Sequence, residues 1–138
     1  MTKSRRGYIL ALCICLALCV IGAGSYTLER LSKPEPVKVM QTYLFDMEHM
    51  EPDQAASHVI DNRFLSQSAL ASFYEKDFQF ERITSYKIVG YQQRDSSHAI
   101  VKVYATMNDG QSINMPFTMI RQGEQWYIYV PGYAASRN

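Results

Sequence analysis

Cysteine is missing from most of this chain: Cys13, Cys15 and Cys19 are the only three, and nothing after residue 19 carries a thiol. A disulfide framework, a thiolate zinc site and a cysteine nucleophile are therefore excluded from everything that follows. Charge of one sign is lacking too, since 14 Lys and Arg stand against 13 Asp and Glu for a formal net charge of +1. That balance argues against a basic nucleic-acid surface and against an acidic disordered tail. Internal repeats and low-complexity tracts are absent, and 138 residues suit one folded domain. No Gly-x-Gly-x-x-Gly, phosphate loop or Gly-x-Ser-x-Gly occurs, which removes the common nucleotide and hydrolase readings. No His-x-x-x-His occurs either, so His49, Glu51, His58 and Asp61 do not make a recognisable zinc pattern. Neither a metal nor a cofactor is expected. What the chain has in quantity is apolar surface, 47% hydrophobic and 12% aromatic residues, enough for a packed core.

The first thirty residues carry a membrane-targeting pattern. Lys3, Arg5 and Arg6 precede a run without charge from Gly7 to Leu28. Basic residues before an apolar segment keep the amino terminus in the cytoplasm, which places the rest of the chain on the far side of the membrane. The most apolar part, Tyr8 to Ile21, has the length of a signal-peptide core, about 7 to 15 residues. Counting Gly7 to Tyr26 reaches the roughly 20 residues that a span needs, while Ala23-Gly24-Ser25 offers small residues for cleavage. A retained anchor is the main expectation and secretion after cleavage the alternative. Cys19 follows Leu16-Ala17-Leu18, a run similar to a lipoprotein box except that a small residue is wanted where Leu18 stands; packing in an apolar helix is the simpler role for it. The expected organisation is an anchor or signal over residues 1–24, a tether over 25–35 containing Pro34, and an extracytoplasmic domain over 36–138 with a net charge of about −2.

In that domain Val37, Met40, Leu44 and Met47 recur at helical spacing after Pro36, predicting a helix to about Met50. Pro52-Asp53 restarts a short helix through Val59, and a third begins near Ser66 with Ala69, Leu70, Phe73 and Tyr74 as its stripe. After Asp77 the period falls to 2. Tyr86 and Ile88 share one face of a first strand and Val89 and Tyr91 the other, so a bulge is expected near Gly90. Val101, Val103, Ala105 and Met107 form the inner face of a second strand, and Asn108-Asp109-Gly110 a hairpin turn. Ile113, Met115, Phe117 and Met119 alternate along a third, with Pro116 expected at an edge or bulge. Gln122-Gly123-Glu124 turns into a fourth, with Trp126, Ile128 and Val130 inward. The fold class is α+β, with N-terminal helices packed on a curved four-stranded antiparallel sheet and preceded by one membrane or signal helix.

Helices followed by an antiparallel meander, closing on Gly123-Glu124-Gln125-Trp126-Tyr127-Ile128, resemble the nuclear transport factor 2-like superfamily, the cystatin-like cone, over about Pro36 to Pro131. The resemblance is nearest to its small exported bacterial members, which have no assigned activity or serve as parts of secretion, conjugation or cell-wall machinery. It implies a fold more than a function. Some cone-fold relatives are enzymes with tyrosine, aspartate or histidine inside the cavity, and Tyr43, Asp46 and His49, at successive helical turns, are the residues this points to here.

The other unusual feature is aromatic crowding at the carboxyl end. If Trp126, Ile128 and Val130 face the core, Tyr127 and Tyr129 face outward, with Tyr104 on the same face, Tyr133 beyond Pro131-Gly132, and Lys102 and Arg121 nearby. Tyrosine with arginine is the composition of a protein interface. The expectation is a non-catalytic, membrane-anchored binding module that engages a cell-envelope protein and no nucleic acid. A small-ligand binder or minor enzyme using Tyr43, Asp46 and His49, or a subunit of a conjugation or secretion apparatus, is the alternative.

Overall fold

The computed structural model describes residues 33–132. Lys3, Arg5, Arg6, the apolar segment with its cysteines, and Tyr133 lie outside the described residues. Among the described residues no helix is long and apolar enough to cross a membrane.

Among the described residues three helices precede the main sheet: α1 (Glu35–Glu48), α2 (Pro52–Ser57) and α3 (Gln67–Asp77). Pro36 lies in the first turn of α1, where a missing N–H costs nothing, and Val37, Met40, Tyr43 and Leu44 form its buried stripe. Ser66 caps α3 by accepting a hydrogen bond from the Ala69 N–H at 3.1 Å. The end of α1 is a Schellman motif: Glu51 N–H donates to the Asp46 carbonyl and Met50 N–H to the Met47 carbonyl. Met50 occupies the left-handed position of that motif with φ 57°, where glycine is usual.

The strands are β1 (Val59–Asp61), β2 (Ile83–Gln93), β3 (His98–Met107), β4 (Ser112–Gln122) and β5 (Gln125–Val130), in the order β1-β5-β4-β3-β2. The sheet thus has five strands rather than the expected four. The extra one, β1, is parallel to β5, with Val59, Ile60 and Asp61 opposite Ile128, Tyr129 and Val130. Val59 was expected at the end of a helix; three residues are too few to display a period of 2, and what makes them a strand is distant pairing, anchored by Ile128 N–H to the His58 carbonyl and Asn62 N–H to the Val130 carbonyl. The remaining four strands form an antiparallel meander.

The register of β2 slips between Ile88 and Gly90, leaving Val89 as the extra residue. This bulge puts Tyr86 and Ile88, opposite Ala105 and Val103, on the same face as Tyr91, opposite Val101. A second slip between Ile83 and Ser85 adds to the curl of the same strand. The Gly123-Glu124 loop joins Gln122 directly to Gln125, and φ 61° at Gly123 is what a two-residue hairpin with glycine first requires. Helix α1 packs on β2, β3 and β5. The core between the layers is centred on Met40, Leu44, Leu70, Val101, Val103, Met119 and Ile128, all essentially without solvent contact.

Pro116 lies opposite Lys102 on β4, a strand that is internal to the sheet. Yet β5 pairs with β4 only from Met119 to Gln122, so the amino-terminal half of β4 is locally an edge. The missing N–H of Pro116 therefore leaves no ladder unpaired on that side.

Candidate functional site

Helices α1 to α3 do not cover the whole concave face. At its open end a cavity of about 180 Å³ is lined by Tyr43, Leu44 and Met47 of α1, by Val103, Ala105 and Met107 of β3, and by Ile113, Met115 and Phe117 of β4. Ile83 and the carboxylates of Asp77 and Glu81 complete the wall. Ile113 and Met115 are 36% and 39% exposed although they belong to the inner face, and the β5 ladder does not reach that half of β4. The lining is predominantly apolar, and three of its side chains are flexible methionines that adapt to the shape of what they contact.

Tyr43 is buried in this wall and shares a hydrogen bond with Tyr74 of α3 across 3.3 Å between hydroxyls. Burial pushes its hydroxyl well above the ordinary tyrosine range, and Tyr74, Asp61 and Asp77 push in the same direction. Tyr74 is raised as well, again chiefly by burial. Both phenols are thus neutral donors or acceptors rather than bases.

Asp46 and His49, expected beside Tyr43, do not join it. Asp46 is 5% exposed and faces His58 at the end of α2, with Oδ2 3.2 Å from Nε2. His49 is exposed, stacks on Phe45 with ring centroids 3.9 Å apart, and its Nδ1 lies 2.8 Å from the Phe45 carbonyl oxygen. The reason is rotation: two successive three-residue steps turn about 600° around a helix, leaving residues 43 and 49 about 120° apart. Asp61, three residues beyond His58 in sequence, is bound by Arg63, whose Nη2 donates to Oδ2 at 2.6 Å. His58 borders a second, open cleft of about 430 Å³ with Glu35, Val39, Ser57, Glu124, Gln125, Trp126 and Tyr127. No group of three or more His, Cys, Asp or Glu among the described residues is arranged to hold a metal ion.

The tyrosine row is dispersed. Tyr127 and Ile120 are register partners on the outer face, so Arg121 and its partner Trp126 lie on the opposite one. Tyr104 is opposite Asn114, six residues along β4 from Ile120, a separation of about 20 Å at strand rise. The hydroxyl of Tyr127 donates to Gln125 Oε1 at 2.6 Å, and that of Tyr129 accepts from Asn62 Nδ2 at 3.1 Å. Both groups are engaged within the domain. The two-residue loop at Gly123 was the signal that could have placed Arg121, since loop length sets register parity. Asp77 and Glu81 had no such signal, being brought to the cavity by the chain reversal between α3 and β2.

A family model described as Domain of unknown function (DUF4878) matches residues 43–129. The chain belongs to that family. The match spans α1 from Tyr43 to β5 at Tyr129 and so takes in β1 to β4, all but the last residue of β5, and the cavity-lining residues described above. No curated protein matches the chain. Among solved structures, a ketosteroid isomerase-like protein from Erwinia carotovora atroseptica aligns with TM-score 0.51 and 15% identity over 68% of this chain and 88% of that one. A DUF4783 family protein from Bacteroides ovatus aligns with TM-score 0.53 and 8% identity over 64% and 87%. A protein of unknown function from Mycobacterium tuberculosis aligns with TM-score 0.52 and 14% identity over 67% and 69%. The fold of this DUF4878 domain is the nuclear transport factor 2-like cone. Identities this low bear on fold alone.

Proposed function

We propose that the chain is a non-catalytic binding module, held outside the cytoplasmic membrane by its amino-terminal apolar segment, whose binding element is the cone cavity. The observation that carries this is the pairing of an apolar cavity with an apolar rim, Ile113 and Met115, left open at the edge of β4. Exposed apolar side chains that continue into a concave apolar wall are the usual mark of a binding site. At about 180 Å³ the cavity is smaller than the roughly 300–1,000 Å³ of most small-molecule sites, so its occupant is a compact apolar group. Dispersal of Tyr43, Asp46 and His49 supports binding over acid–base catalysis, because catalysis needs such groups to converge on one reacting atom.

The test uses the full chain in lipid nanodiscs with methyl-labelled methionine. Benzyl alcohol is expected to shift the signals of Met47, Met107 and Met115, and Met115→Trp at the rim to abolish the shifts. Unmoved methionine signals at millimolar probe would overturn the reading. Intact mass and fractionation of the cell-derived protein test the membrane attachment; a soluble product lacking the first 24 or so residues would replace the anchor with a cleaved signal.

A further inference from the structure

We infer that the occupant of the cone cavity carries a positive charge: a small amphiphile with an apolar body and an ammonium-type head. This rests on the cavity being the binding element and adds the chemical class of its ligand. Charge complementarity carries it. Among the described residues, the ionisable groups in the wall other than the buried Tyr43 are two carboxylates, Asp77 and Glu81, with no lysine, arginine or histidine. Among the described residues the carboxylates that face a Lys, Arg or His nitrogen are Glu35 with Lys38, Asp46 with His58, Asp61 with Arg63 and Asp95 with His98, so neither wall carboxylate has a cationic partner there. The sequence neighbours that could have served do not line the cavity: Lys76 is exposed, and Arg82 directs Nη1 toward Met50 Sδ at 3.8 Å.

The position of Asp77 sharpens the point. It is the last residue of α3, where the helix already presents the negative end of its dipole, and it is half-buried against apolar side chains. Its backbone carbonyl accepts the N–H groups of Phe80 and Glu81, which brings the two carboxylate-bearing residues to one side of the same turn. Two carboxylates at the negative end of a helix, beside an apolar wall, form a field that favours a cation and repels an anion. An alkyl or aryl ammonium meets both halves of the site, its body among Met47, Met107, Met115 and Phe117 and its head at Asp77 and Glu81.

The experiment compares benzylammonium, benzyl alcohol and benzoate, three probes of nearly one shape, against the full chain in nanodiscs with the methionine methyl signals as readout. Benzylammonium is expected to bind about tenfold more tightly than benzyl alcohol, with benzoate weakest, and the preference to shrink as salt is raised. Glu81→Gln should reduce the preference and Asp77→Asn with Glu81→Gln remove it while benzyl alcohol binding persists. Should the double variant lose its methyl dispersion, the single change at exposed Glu81 decides. Equal affinity for benzylammonium and benzyl alcohol, or a preference that survives removal of both carboxylates, would overturn the inference and leave the apolar-cavity reading standing. Failure of all three probes to move the cavity methionines would overturn both.

Discussion

Removing Arg63 should cost far more than the loss of one ordinary surface side chain. Asp61 ends β1 and its side chain is 1% exposed, while that of Arg63 is 35% exposed. The carboxylate takes Nε at 2.9 Å on Oδ1, Nη2 at 2.6 Å on Oδ2, and the Arg63 backbone N–H at 3.0 Å on Oδ1. These bonds hold the Asp61 carboxyl below its usual range against the opposing effect of burial. Breaking a fully buried pair costs about 3–5 kcal/mol; with the guanidinium one-third open to water, we expect about 2–3 kcal/mol for Arg63→Gln. Asp61→Asn should cost about 1–2 kcal/mol because the arginine left behind can be solvated. The double variant should then cost less than the two losses together, with a coupling of about 1–2 kcal/mol. Urea unfolding followed through Trp126, the single tryptophan, measures all three. The pH dependence has a fixed sign. A carboxyl whose folded pKa lies below its unfolded value of about 3.9 stabilises fully above that value and loses the contribution as pH falls through the folded pKa. The gap between the native protein and Arg63→Gln must therefore close in acid. A gap under about 0.5 kcal/mol at pH 7, strict additivity in the double variant, or a gap that widens below pH 4 would refute the clamp.

Three further outcomes follow from single residues. Met50→Gly should stabilise by about 0.5–1 kcal/mol, because φ 57° strains any L side chain and Met50 is 46% exposed with little packing to lose; an unchanged or lower urea midpoint would contradict it. Asp77→Asn should raise stability by about 0.3–1 kcal/mol in thermal unfolding by removing a charge from the negative end of α3, and a loss of stability would show that Asp77 has a structural partner. His58→Ala should lower stability by about 1–3 kcal/mol by removing the imidazole that lies 3.2 Å from the buried Asp46 carboxylate, whereas His49→Ala should change it by less than about 0.5 kcal/mol; the reverse order in urea unfolding would mean the partner of Asp46 is misassigned.

Local chemistry made several elements readable from sequence. Ser66 caps because its hydroxyl reaches the Ala69 N–H three residues on, a purely local geometry. Asn108-Asp109-Gly110 turns because Gly110 tolerates φ 84° and the Asp109 carboxylate accepts the Gln111 N–H. The bulge near Gly90 was legible in the mismatch between Ile88 and Tyr91, which only an inserted residue resolves. Strand β1 was not legible, since its three residues owe their conformation to Ile128 and Val130, almost seventy positions away. Helical spacing placed Tyr43 correctly in the apolar face but carried Asp46 and His49 off it, because a repeated three-residue step falls short of a full turn each time. The partners of Asp46 and Asp61 were likewise decided by where α2 and β1 deliver His58 and Arg63, and not by the nearest histidine in sequence.

The cavity itself had no sequence signature because it is made by a mismatch of lengths. The third and fourth meander strands, β4 and β5, have 11 and 6 residues, and their ladder runs only from the Gly123 turn to Met119 opposite Ile128, so among the described residues the rest of β4 has no strand paired on that side. Bulges on β2, at the other edge, bend the sheet around α1 instead of letting it lie flat under the helix. Together these leave inner-face positions that alternate correctly, Ile113 and Met115, without the layer that alternation normally implies. A free stretch of strand is an aggregation hazard, and Pro116 in the middle of this one removes a donor that a second chain would otherwise capture. The same stretch thus combines an apolar face kept open toward the cavity with an edge blunted against strand addition. That combination favours an occupant that enters from the concave side over a partner that extends the sheet.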